Sequence, residues 1–228
     1  MQNKITQLKF IESKFDFIIC LNANLPENSF FENFKNIKII SADGAAQKLF
    51  KKNIKSDIII GDLDSFDIKS ENFNNFFEKT LIIKNPDQST NDFEKILNWC
   101  ISQNKLKLLI TGIHGGDLEH TLNNWSIFMR YSKKMNLCIY DNNRYAVAIN
   151  KSIEFSSYIG EIISIIPQPS AVLSSENLKW ELDNYLLEMG KSEGARNCAK
   201  TDIVKIILHN GSFLLFFDSK VPKSPIFL

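Results

Sequence analysis

Two carboxylates one residue apart follow a glycine that ends an apolar run, in Asp57-Ile58-Ile59-Ile60-Gly61-Asp62-Leu63-Asp64-Ser65. Like charges held this close repel, and a hard cation or a basic partner relieves the repulsion. A solvated turn also favours Asp and Gly, so this motif alone leaves both readings open. Clusters of the same kind recur. Asp43-Gly44 follows the apolar run ending at Ser41, Asp87-Gln88 follows Leu81 to Lys84 across Asn85-Pro86, and Gly112-Ile113-His114-Gly115-Gly116 follows Leu106 to Thr111. If those runs are parallel strands of one open sheet, all four clusters fall at carboxyl ends, where such sheets bind ligands.

Each cluster has a local alternative. Asp43 caps a helix starting at Gly44, and Ser89-Thr90-Asn91-Asp92 is a capping box. Gly115-Gly116 is either a tight entry turn or a pair of amides for a phosphate at a helix N-terminus. His120 and Asn124 lie four apart and share a helix face. No GxxxxGK[ST], no GxGxxG after the first strand and no GxSxG occurs, and the His and Cys spacing does not suit zinc. The remaining chemistry is carboxylate-rich. Oxygen ligands favour Mg²⁺, usually held by one or two carboxylates plus substrate phosphates.

The elements that must position these residues alternate. Phe15 to Leu21, Ile37 to Ser41, Ile58 to Ile60, Leu81 to Lys84, Leu106 to Thr111 and Leu137 to Tyr140 read as buried strands. Phe93, Ile96, Leu97, Cys100 and Ile101 follow helical spacing, as do Leu118, Leu122, Trp125 and Met129. Phe30, Phe31 and Phe34, then Ala45, Ala46, Leu49 and Phe50, then Phe73, Phe76 and Phe77 predict shorter helices. The alternation predicts an α/β domain with a mostly parallel sheet over residues 1–142. Beyond that point the helical period vanishes. Ile162 to Ile166, Leu178 to Leu182, Ile203 to His209 and Phe213 to Phe217 read as strands of a smaller all-β domain, residues 143–228. Asn210-Gly211 predicts a hairpin between the last two runs, with His209 decorating it. Pro167 and Pro169 predict a strand end, and Glu188 to Thr201 a loop.

Composition sets the class. Hydrophobic residues at 44% and charged residues at 23% are ordinary for a globular chain, and the 18 Phe predict an aromatic-rich core. A net charge of +1 without basic blocks gives no reason to expect nucleic acid or an anionic membrane surface. No apolar stretch approaches the about 18–20 residues of a membrane span, and the N-terminus lacks a signal-peptide pattern. Cys20, Cys100, Cys138 and Cys198 form no CxxC pair. Isolated thiols of this kind predict a reducing compartment, the cytoplasm.

Taken in order, Gly61-Asp62-Leu63-Asp64-Ser65, Asp87-Gln88 with Asp92, and Gly115-Gly116 with His120-Thr121-Leu122 and Asn124 resemble the motifs of the thiamine pyrophosphokinase (thiamine diphosphokinase) family. Ala42-Asp43-Gly44-Ala45-Ala46 resembles its ADGGAN segment. Asn177-Leu178-Lys179-Trp180-Glu181-Leu182, with Leu187 and Gly190, resembles its GLKWxL…L.FG pattern, and Ser192 and Asn197 echo the SxSN that follows. The resemblance implies a C-terminal β-sandwich, a homodimer with the active site between the α/β domain of one subunit and the β domain of the other, and Mg²⁺. It implies transfer of a diphosphate group from ATP to the hydroxyethyl oxygen of thiamine, giving thiamine diphosphate and AMP. On this reading Asp62, Asp64 and Asp87 hold the metal and form the catalytic set with Asp92. Asp43, Gly44, Gln88, Gly115, Gly116, His120 and Asn124 bind ATP and its phosphates. Trp180, Ser192 and Asn197 bind thiamine, with Trp180 either a platform for the cationic ring or a core residue of the β domain.

The chain departs from the pattern in places. The family's GGRxDH reads Gly115-Gly116-Asp117-Leu118-Glu119-His120, its DQDxTD reads Asp87-Gln88-Ser89-Thr90-Asn91-Asp92, and the GLKW glycine is Asn177. With an acid at position 117, balancing the phosphates falls to Lys84, Lys95 or Arg130. Two rivals stay open. Asp62-x-Asp64 also resembles the opening of haloacid-dehalogenase-type phosphatases, with Asp62 as nucleophile, although that family carries the motif on its first strand. The other rival is a family member that binds thiamine or nucleotide without turnover.

Overall fold

The computed structural model describes residues 5–12, 14–64 and 71–228. The N-terminal Met1 to Lys4, Ser65 of the carboxylate motif and the side chain of Phe73 lie outside the described residues. Ser13–Asn142 forms one unit; Asn143–Leu228 forms the other, together with the stretch that ends at Glu12.

In the first unit the apolar runs become β2 (Phe17–Cys20), β3 (Lys38–Ala42), β4 (Ile58–Gly61), β5 (Leu81–Lys84), β6 (Lys107–Thr111) and β7 (Asn136–Asp141). All pair in parallel, in the order β7-β6-β2-β3-β4-β5. Helices α1 (Asn28–Glu32), α2 (Asp43–Lys51), α3 (Glu71–Phe76), α4 (Asp92–Ser102) and α5 (Leu118–Tyr131) connect them. Central strands buried on both faces are uniformly apolar for that reason. α4 buries Phe93, Ile96, Leu97 and Cys100, the stripe that the spacing predicts, and each large side chain contributes about 1.5–3 kcal/mol on burial. α5 is helical as predicted but turned differently. It buries Thr121, Ile127 and Phe128, while Leu118 and Leu122 are 69% and 61% exposed. The chain builds outward from β2 to β5, then returns to place β6 on the other side of β2. That reversal makes the β2/β6 junction the switch point of the sheet.

The second unit is a β-sandwich of β1 (Thr6–Ile11), β8 (Arg144–Ile149), β9 (Ile153–Ser156), β10 (Ile162–Glu176), β11 (Tyr185–Glu188), β12 (Gly194–Cys198), β13 (Ile203–Asp218) and β14 (Ser224–Phe227). β1, expected with the α/β part, pairs instead with β9 in parallel and β14 in antiparallel fashion. Leu8 and the Phe10–Phe217 ring pair at 5.1 Å tie it to this core.

Several sequence expectations fail here for one reason. The predicted hairpin at Asn210-Gly211 is a bulge inside the single strand β13, which pairs with β9 before it and with β8 after it. Gly211 has φ +87°, and a Cβ there would sit 2.1 Å from the Ser170 carbonyl oxygen, so glycine marks a strand bend rather than a turn. β10 runs on through Pro167 and Pro169 because the missing N–H groups fall where the β10–β13 register shifts, between Pro167 and Ala171. Leu178 to Leu182 is an irregular crossing with one bridge, Leu178 to Ala199, and the expected loop contains β12. Local signals for a turn and for a bulge use the same residues, and long-range pairing decides between them.

Candidate active site

A cavity of about 490 Å³ opens at the carboxyl edge of the parallel sheet, at the switch point. Leu21, Asn22 and Ala23 after β2, and Gly112, Ile113 and Gly116 after β6, form one side. Asp62, Gln88, Asp92, Lys95, His120 and Asn124 face it from the other loops and helices. Carboxylate, amide and imidazole groups from four separate stretches therefore share one space.

The acidic corner is built around Asp43. It is buried at the first position of α2; Oδ1 accepts the Gly44 N–H at 2.6 Å and Oδ2 accepts the Leu63 N–H at 3.0 Å. The N-cap of α2 is Ala42, with no side-chain capping bond, so Asp43 is not the cap of a helix starting at Gly44; its carboxylate ties its own turn to the loop at Leu63. Leu63 sits at φ +68°, a left-handed conformation that costs a non-glycine residue about 1–2 kcal/mol. The bond to Asp43 holds that conformation, and the turn directs Asp62 and Asp64 differently. Gly61 is required by close approach: a Cβ there would lie 2.8 Å from Asp43 Cγ.

Asp62 Oδ1 accepts the Asp64 N–H at 3.1 Å, and Oδ2 accepts from Gln88 Nε2 at 3.1 Å. These bonds hold its carboxyl below the usual range. Asp92 goes the other way. Burial first, then the charge of Asp43, push its carboxyl up to about 6, against the pull of Lys95. Lys95 is itself buried, and its Nζ lies 3.3 Å from Asp92 Oδ1. The cavity wall thus carries crowded negative charge and one buried cation.

The capping-box reading is corrected in detail. Asn91, not Ser89, caps α4, its Oδ1 accepting the Glu94 N–H at 3.0 Å. Its Nδ2 donates to Asn124 Oδ1 at 2.9 Å, which links α4 to α5 across the cavity. Asp92 is left free of capping and turns to the cavity.

Other predicted residues lie beside the cavity rather than on its wall. Gly44 and Gly115 make room for the loop after β2: a Cβ at Gly44 would sit 2.3 Å from Asn22 Nδ2, and one at Gly115 would sit 2.1 Å from Asn24 Nδ2. Gly116 is on the wall. Asp64 is exposed. Asp87 folds back on its own turn, accepting the Ser89 N–H at 2.8 Å and the Thr90 hydroxyl at 3.5 Å. Among the described residues no three of His, Cys, Asp or Glu are gathered to hold a metal ion, so Asp62, Asp64 and Asp87 do not converge as expected. Of the three candidate balancing cations only Lys95 is on the wall; Arg130 is tied to Glu94 at 3.0 Å. Sequence reasoning missed the Leu21-Asn22-Ala23-Asn24 loop. Its signal is a polar break directly after the β2 run. Lys48 of α2 pins it, donating to the Asn22 and Ala23 carbonyl oxygens at 3.1 and 3.0 Å.

In the β unit Trp180 is 58% exposed, which excludes the core reading. Lys179 Nζ lies 4.7 Å from the centre of its ring. Asn197 is buried and clamps the Trp180 main chain: Oδ1 accepts the Trp180 N–H at 3.1 Å, and Nδ2 donates to its carbonyl oxygen at 2.7 Å. Asn197 is thus a positioning residue for Trp180. The Ser192 hydroxyl donates to the Leu186 carbonyl oxygen at 2.9 Å, anchoring the turn beside β11.

An open parallel sheet with crowded carboxylates at its switch point places a ligand site where α/β enzymes carry theirs. The chain belongs to the thiamin pyrophosphokinase family: the family's catalytic domain matches residues 32–139, and its vitamin B1 binding domain matches residues 146–212. Thiamin pyrophosphokinase 1 of Caenorhabditis elegans is 25% identical over 194 residues, covering 78% of this chain and 76% of its own length. Thiamine pyrophosphokinase 2 of Arabidopsis thaliana is 25% identical over 223 residues, covering 83% and 81%. In fold, the chain resembles the yeast thiamin pyrophosphokinase structure (TM-score 0.74, 18% identity, 91% of this chain and 87% of that one). It also resembles the Bacillus subtilis enzyme (TM-score 0.72, 18% identity, 90% and 100%).

Proposed function

We propose that this chain is a thiamine diphosphokinase that transfers the terminal diphosphate of ATP to the hydroxyethyl oxygen of thiamine. One observation carries the reading: Asp62, Gln88, Asp92, Gly116, His120 and Asn124, distant in sequence, line one cavity at the switch point. Family membership supplies the substrates.

The reaction joins the thiamine oxygen to the β-phosphorus and breaks its bond to the oxygen that leaves with AMP. It asks the protein mainly for alignment and charge compensation. The backbone at Gly116 and the side chains of His120 and Asn124, all on the cavity wall, would orient phosphate oxygens. Lys95 is the wall's own counter-charge. Asp92, its carboxyl held up to about 6, is the best-placed group to accept the hydroxyl proton near neutral pH. Trp180 supplies a flat face for a cationic ring, its backbone fixed by Asn197.

Hard oxygen donors under mutual repulsion are the donor chemistry that suits Mg²⁺, which needs only one or two carboxylates beside phosphate oxygens. We assign Asp62 to it, with Asp64 and Asp87 adding negative charge from adjacent loops. When bound, the ion neutralises charge on the phosphates. A homodimer completes the reading, because Leu118 and Leu122 leave an apolar strip on α5 that a second copy would cover. We place the protein in the cytoplasm: all four cysteines are free, and among the described residues no helix is long and apolar enough to cross a membrane.

The comparisons support the kinase over the phosphatase. Incubation with ATP, Mg²⁺ and thiamine tests the proposal. Thiamine diphosphate and AMP should form in equal amounts. Phosphate release from simple esters without thiamine would refute it, and thiamine binding without AMP would leave only a binding module.

A further inference from the structure

The β unit carries a second cleft, of about 350 Å³, lined by Arg144, Ile162, Ser164, Ile166, Arg196 and Phe216. Its floor is apolar. Ile162 and Ile166 of β10 point outward, opposite the fully buried Ile163 and Ile165, and Phe216 of β13 lies beside them.

The two arginines differ. Arg144 is neutralised, its Nη1 donating to Asp218 Oδ1 at 2.6 Å, while the other oxygen of Asp218 takes the Tyr158 hydroxyl. Arg196 makes no ion pair among the described residues. Its backbone is unusual twice over. It sits at φ +57°, and it falls in the irregularity where the β10–β12 register shifts between Ile163 and Ile165. There its N–H donates to Ser164 Oγ at 2.9 Å instead of entering the strand ladder. A left-handed non-glycine residue in a bulge is a costly way to hold a side chain, and bulges re-aim side chains at sites. Because Ser164 Oγ accepts that bond, its own proton remains available to a ligand.

An unmatched planar guanidinium and a free hydroxyl above two isoleucines and a phenylalanine complement a small anion with an apolar body. Guanidinium groups take carboxylates and phosphates through two parallel bonds. The unpaired Arg196 also makes the cleft a poor receptor for a cation, so it does not duplicate the platform at Trp180. We propose that this cleft is a binding site for a small carboxylate or phosphate monoester carrying a ring or short apolar chain, with Arg196 and Ser164 on the anionic head.

The test is calorimetric titration of the full chain with phenyl phosphate, benzoate and inorganic phosphate. Arg196→Asn is the informative variant, because Asn accepts the left-handed backbone; an unchanged melting temperature verifies its fold. At least one of the two apolar-bodied probes should bind at one equivalent and lose about tenfold or more in affinity in Arg196→Asn, with Arg196→Lys in between. Inorganic phosphate should bind that site more weakly, and the better of the two apolar-bodied probes identifies the head group. Absence of binding to the unaltered chain, unchanged affinity in Arg196→Asn, or equal affinity for inorganic phosphate would each overturn the assignment.

Discussion

In the α/β unit Asp62, Asp92 and Lys95 stand around a cavity and act on one another's charge. In the β unit Trp180 offers an exposed ring while Asn197 ties down only its main chain. The first arrangement holds repulsion that a cation would relieve. The second holds a flat surface in place at no electrostatic cost. On the proposed function, charge-neutralising chemistry and ring recognition belong to separate units, and damage to one should leave the other measurable.

Asp62→Asn should break the α/β side most severely. Loss of a wall carboxylate should lower thiamine-dependent AMP formation by about a hundredfold or more while the melting temperature holds. Full activity would remove Asp62 from the mechanism. Trp180→Ala should raise the KM for thiamine about tenfold and leave that for ATP nearly unchanged. Equal changes in the two would contradict the division between units.

Asp92 sharpens the contrast through pH. Its carboxyl stands at about 6 in the folded chain, above the ordinary aspartate value of about 3.9. The folded state therefore binds the extra proton. The stability that Asp92 itself contributes is fully present below about pH 4 and is lost as pH rises through about 6. Asp92→Asn should remove that loss and stabilise the metal-free chain at neutral pH, while its activity falls. Denaturant melts at pH 4 and pH 7.5 check this, and a destabilised variant at pH 7.5 would contradict it. The smallest effect is Asn91→Ala, which removes the α4 cap and the link to Asn124. It should cost about 1 kcal/mol in urea melts, with a modest fall in activity.

The α/β unit was legible because its strands and helices bury faces that local spacing records, as in Phe93, Ile96, Leu97 and Cys100. Its four polar clusters could be placed by strand ends alone. Their division of labour could not. That Gly44 and Gly115 admit Asn22 and Asn24, or that Leu63 takes a left-handed turn held by Asp43, depends on contacts between stretches far apart in the chain. The β unit was less legible for the same reason. Gly211 and Pro167 look like terminators locally, yet pairing along β10 and β13 absorbs both as bulges. α5 shows the limit within a well-read element: its period was visible, but the buried side of the helix was set by its neighbours.

Calorimetric binding of ATP with and without Mg²⁺, to the unaltered chain and to Asp62→Asn, tests most directly whether the cavity acidic groups work as one cation-demanding group. Mg²⁺ should tighten ATP binding to the unaltered chain by about tenfold or more, and the substitution should abolish most of that gain. An identical Mg²⁺ effect in both proteins would contradict the account.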